Sequence, residues 1–131
     1  MSRLCLAVLV LLVASGCAST APTSERDVLL GRWDMERIYD GAQDVSILQN
    51  PERDRYITLR ADGSFESGGQ PYGRNTGRWT YDPASDVLAL DSDQGADNDS
   101  RWRVSLRGDV MEWVSAGVDA GRFRIVARRA G

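Results

Sequence analysis

Histidine is absent from this 131-residue chain. Its absence removes the commonest metal ligand and the usual general base at neutral pH. Lysine is absent as well, so all 16 basic residues are arginine, and aspartate far outnumbers glutamate. The formal net charge is −3, with no basic surplus to neutralise a phosphate backbone, so no nucleic-acid partner is expected. Cysteine is scarce, with Cys5 and Cys17 the only two. No segment sustains helical spacing, and the apolar run from Leu4 to Val13 is too short to span a bilayer. These gaps leave no recognisable catalytic set, so the chain is expected not to be an enzyme and to need neither metal nor cofactor.

The N-terminus, by contrast, has the plan of an export signal. Arg3 supplies a positive charge, Leu4 to Val13 an apolar core, and Ala14-Ser15-Gly16 a run of small residues directly before Cys17. That ending resembles the lipobox of bacterial lipoproteins, in which a peptidase cuts before a cysteine bearing diacylglycerol; Ala14 stands where the pattern usually has Leu. The resemblance implies a signal peptide over residues 1–16 and a lipid anchor with palmitate on Cys17, which makes the membrane a partner. Cys5 would leave with the signal, and an unpaired thiol at a mature N-terminus suits acylation better than structure. Residues 17–27 are mostly small and polar, the composition of a flexible tether that could reach about 35 Å when extended. Ala18 rather than Asp after the cysteine implies the outer membrane, facing the periplasm or the cell surface.

Residues 28–131 form one domain, about the size at which a single core suffices without disulfides or metal. Its pattern has a period of two, broken every eight to twelve residues by Gly, Pro, Asp or Asn, as alternation between core and water requires. Eight strands are expected: 31–39, 55–60, 64–67, 78–81, 87–91, 101–107, 110–115 and 121–128. Asp62-Gly63 supplies the chemistry of a tight turn between them, Asp82-Pro83-Ala84-Ser85 a wider one and Gly108-Asp109 another. Consecutive hairpins without crossover helices make an antiparallel meander. Eight such strands close into an all-β up-and-down barrel, which abolishes free edges.

The domain resembles the short bacterial lipocalin-like family. The motifs that carry the likeness are Leu29-Leu30-Gly31-Arg32-Trp33, Asp62-Gly63-Ser64-Phe65, Gly77-Arg78-Trp79 and Leu88-Ala89-Leu90, in that order. The resemblance implies that Trp33 seals the closed end of the barrel beneath an arginine of the last strand, Arg128 or Arg124. It also implies that the long connection from Asp40 to Asp54 is a loop over the open end, where Ile47 and Leu48 form a lid if it covers a ligand.

Strand parity alone nominates Tyr39, Phe65, Tyr81, Trp102 and Trp113 as residues lining a pocket, with Arg37 or Arg74 as its polar handle. An eight-stranded barrel is just wide enough either to be filled by its own side chains or to hold one small ligand. Two functions therefore compete. One is an envelope lipoprotein, expected to be monomeric, that binds a small hydrophobic or amphipathic ligand. The other is a non-catalytic protein-interaction or envelope-maintenance module with a solid core and an unknown protein partner, for which Tyr72 in the loop Gly68 to Gly73 is a contact. The acidic run from Asp91 to Asp99 has the oxygens of a calcium loop, but Gly95 and Ala96 break that spacing, so it reads as a solvated hairpin.

Overall fold

The computed structural model describes residues 24–131. Cys17 and the signal and tether expectations before Ser24 lie outside the described residues. The elements are β1 (Gly31–Asp40), β2 (Gln43–Asp44), α1 (Ser46–Gln49), β3 (Tyr56–Leu59), β4 (Ser64–Gly68), β5 (Asn75–Asp82), β6 (Val87–Ser92), β7 (Ser100–Arg107), β8 (Val110–Ser115) and β9 (Phe123–Arg129). Each strand from β3 to β9 pairs antiparallel with the next; β1 pairs with both β3 and β9, so eight strands close into a barrel. The two-residue β2 is an appendage on the far end of β1.

The expected alternation sets most of the interior. Ile57 and Leu59, Phe65, Trp79, Leu88, Val104, Met111 and Trp113, and Ile125 and Ala127 all point inward and are buried. Burying apolar area of this kind, at roughly 25 cal/mol per Å², is what favours closure of the sheet.

The first strand breaks the alternation. Met35 pairs with Ala127 but Arg37 pairs with Val126, so Glu36 is an extra residue in a β-bulge. Trp33 and Met35 face inward before the bulge and Ile38 after it, which turns Tyr39 to the outer surface. A one-residue slip of register exchanges the two faces of a strand. Tyr39, expected inside, instead lies under the Arg124 guanidinium at 4.1 Å.

One end of the barrel is packed shut. A single 3-10 turn, Asp27–Leu29, folds Leu29 across the opening, and the Trp33 indole N–H donates to the Leu29 carbonyl at 2.9 Å. The guanidinium over Trp33 belongs to Arg129, 4.3 Å from the ring centroid, and not to Arg128 or Arg124. It donates to the carbonyls of Leu30 and Val28 at 2.6 and 2.7 Å. Arg129 shares the inward parity of Ile125 and Ala127. The even-numbered Arg128 and Arg124 point outward, to Glu36 at 2.6 Å and Glu112 at 3.5 Å. Trp79 is closed off in the same manner, with its N–H on the Arg60 carbonyl and the Arg26 guanidinium 4.1 Å over its ring.

Candidate functional site

The opposite end is hollow because β1 outruns its neighbour. Pairing between β1 and β3 stops at Asp34 and Tyr56, whereas β1 continues along β9 to Asp40. The segment from Gly41 to Arg55 fills the gap. Its linchpin is the buried Asn50, whose side-chain N–H donates to the Met35 carbonyl while its oxygen accepts from the Arg55 backbone N–H, each at 3.1 Å. Ser46 adds a second pin, accepting from the Ile38 backbone N–H at 2.9 Å. The Ser46 hydroxyl and backbone N–H also hold the Asp44 carboxyl below its ordinary pKa, with Arg37 contributing less.

These pins decide which way α1 faces. Val45 and Gln49, one helical turn apart, turn toward the barrel, while Ile47 and Leu48 stay 83% and 76% exposed. Ile47 and Leu48, expected to form the lid, therefore point to solvent. The cover is made instead by Arg55, Gln49 and Tyr72. The Arg55 guanidinium donates to the Gln49 carbonyl at 3.0 Å and stacks 4.6 Å from the centroid of the Tyr72 ring, whose hydroxyl donates to the Gln49 side chain. A close approach of two loops permits this bridge. At Gly69, with φ of +100°, an added Cβ would come within 2.5 Å of the Arg55 Cα.

Beneath and beside the bridge are two adjoining cavities. The first, of about 250 Å³, is lined among others by Met35, Phe65, Leu90, Trp102, Trp113 and Ile125. The second, of about 270 Å³, lies between α1 and the upper barrel wall against Ile38, Val45 and Phe123. Arg55, Tyr72, Trp102 and Ile125 border both. Trp102 and Trp113 meet edge to face with centroids 5.9 Å apart. Phe65, Trp102 and Trp113 thus come together, while Tyr81 does not join them. It sits in a groove at the closed end beside Leu29, Val104 and Leu106 and donates to Asp86 at 2.8 Å. Burial, reinforced by that carboxylate, pushes its hydroxyl up to about 12. Parity correctly turns Tyr81 away from the outer wall but does not say at which height of the barrel it lies.

Neither expected polar handle reaches the chamber. Arg37 pairs with Asp44 at 3.4 Å and Arg74 with Glu66 at 3.4 Å, both at the surface. The cation at the chamber is Arg55, immediately before β3 and in the same parity as Ile57 and Leu59, a signal that the sequence carries. Burial pulls its guanidinium below the ordinary value, with the Tyr72 hydroxyl acting weakly in the other direction. It has no carboxylate partner among the described residues. A second group is also left wanting, since the Trp113 indole N–H is buried with no acceptor.

The acidic loop after β6 spends its carboxylates on its own hairpins. Asp99 accepts from the Ser92 backbone N–H and Asp93 from the Thr76 hydroxyl, each at 2.8 Å. No group of three potential metal ligands comes together among the described residues.

Fold and site together define a small antiparallel barrel, solid at one end and chambered at the other. Among solved structures the chain is similar to a DUF4847 family protein from Bacteroides vulgatus, with a TM-score of 0.59 and 16% identity over 81% of this chain and 96% of that one. At that identity the likeness is one of fold. No family model matches the chain, and no curated protein matches it.

Proposed function

We propose that the barrel binds one small amphipathic molecule at its open end. The observation that carries this reading is the chamber itself, where Phe65, Trp102, Trp113 and Ile125 stand around unfilled space while the other end of the same barrel is packed with side chains. Small-molecule sites have this makeup, mostly apolar walls with a few placed polar groups, and the two cavities together fall within the usual size range of about 300–1,000 Å³. The neutral fluorophore 1-aminoanthracene should bind purified protein saturably at one site and quench tryptophan emission. Trp102→Leu should weaken that binding severalfold. A protein that takes up no probe would favour the solid-core interaction module, and binding indifferent to Trp102→Leu would move the site off the chamber.

We further propose, from the lipobox-like Ala14-Ser15-Gly16-Cys17, that the protein is a lipid-anchored component of the bacterial envelope, held through Cys17. Metabolic palmitate should label the wild type in membrane fractions, and Cys17→Ser should abolish the label. Label surviving that substitution would refute the anchor.

A further inference from the structure

The cation at the chamber still has donors to spare. Arg55 has five N–H donors, of which one is spent on the Gln49 carbonyl, and no carboxylate approaches it among the described residues. A guanidinium cannot itself accept a hydrogen bond. A neutral hydrocarbon would leave it as it is, and a cationic ligand would be repelled by it.

Most other arginines around the barrel's open end are already neutralised. Arg37, Arg74, Arg122 and Arg124 each lie within 3.5 Å of an acidic partner. Arg55 is the one cation that borders both cavities, and the Asp40 carboxylate near it is engaged by Arg122 at 3.0 Å. A single guanidinium balances a single negative charge. Its planar fork matches a carboxylate in two parallel hydrogen bonds, and the stacked Tyr72 ring holds that fork in place.

Resting on the reading of the chamber as a ligand site, we propose that Arg55 selects a monocarboxylate amphiphile, with the carboxylate at Arg55 and a compact apolar body against Phe65, Trp102 and Ile125. The limited volume favours a short chain. At roughly 30 Å³ per group the size of a water molecule, a cavity of about 250 Å³ takes about eight carbon-sized groups.

Octanoate and 1-octanol have the same eight-carbon skeleton and differ in whether its end is charged, so they separate the two ideas. Calorimetric titration of the protein at neutral pH should show octanoate binding at least about tenfold more tightly than octanol, as a charge-assisted pair in a partly desolvated site requires. Raising salt should weaken octanoate and leave octanol nearly unchanged. Arg55→Gln should cost octanoate about tenfold or more and leave octanol within about twofold. Equal binding of the two compounds by wild type, or octanoate unaffected by Arg55→Gln, would overturn the assignment of Arg55 while sparing the chamber. Failure of both compounds to bind would overturn the chamber as well. The wild-type comparison and its salt dependence decide the matter even if the variant does not fold.

Discussion

Trp33→Ala is expected to lower the unfolding free energy by about 3–5 kcal/mol, the cost of truncating a fully buried tryptophan. The size of the loss follows from how many things the indole does at once. It fills the closed end, its N–H satisfies the Leu29 carbonyl, and its face receives the Arg129 guanidinium, which in turn holds the carbonyls of Leu30 and Val28. Removing the ring leaves a void the rigid strands cannot fill and frees the plug formed by Leu29. Arg129→Met should cost less, about 2–3 kcal/mol, because the stem still covers the ring and what goes is the cation–π contact, two hydrogen bonds and the long ion pair to Asp109 at 3.7 Å. Urea unfolding measures both. A Trp33→Ala midpoint equal to the parent's, or an Arg129→Met loss exceeding that of Trp33→Ala, would show that the closed end is not organised around the indole.

Gly77→Ala is expected to be nearly as damaging, at about 3 kcal/mol, although it adds only a methyl group. Gly77 sits in β5 opposite Phe65 on one side and Ser92 on the other. An added Cβ would lie 2.0 Å from the Asp91 carbonyl oxygen and 2.7 Å from a carbon of the Phe65 ring. The ring can swing; the backbone oxygen cannot, so β5 and β6 must part near the chamber. Because Phe65 lines that chamber, the variant should also lose probe affinity in whatever fraction remains folded. Thermal unfolding that matches wild type would mean that the two strands have more room than their pairing indicates.

The barrel was legible because its evidence is redundant: each inward row repeats every second residue, and Asp62-Gly63 or Gly108-Asp109 marks where a strand must reverse. What stayed hidden are features carried by one residue. Nothing in Met35-Glu36-Arg37 distinguishes a bulge from continued alternation, and continued alternation puts Tyr39 inside. Four residues of helix, Ser46–Gln49, are too few to show a period, so the sequence does not tell which side of the loop faces the barrel, and hydrophobicity alone points to Ile47 and Leu48. Height along the barrel depends on stagger between strands, which is why Tyr81 was grouped with residues at the other end. Arg55 and Arg129 are a different case. Each continues an apolar row at the point where the row reaches an end of the barrel, so parity alone places it inside, although its charge gives no hint of that.

The ring is closed by contacts between residues 99 and 101 positions apart, Arg129 with Leu30 and Val28, alongside the pairing of β1 with β9. Every other seam of the barrel joins strands that are neighbours in sequence, so hairpins can form and zip in order along the chain, while the last seam waits for all of them. Closing it carries the greatest loop-entropy cost of any seam, which slows this step relative to the hairpins. Until then the molecule is a curled sheet with two bare edges. Those edges are complementary by construction, so the β9 edge of one molecule fits the β1 edge of another as well as its own. Slow ring closure at high concentration thus offers a route to exchanged-strand oligomers, which dilute refolding avoids.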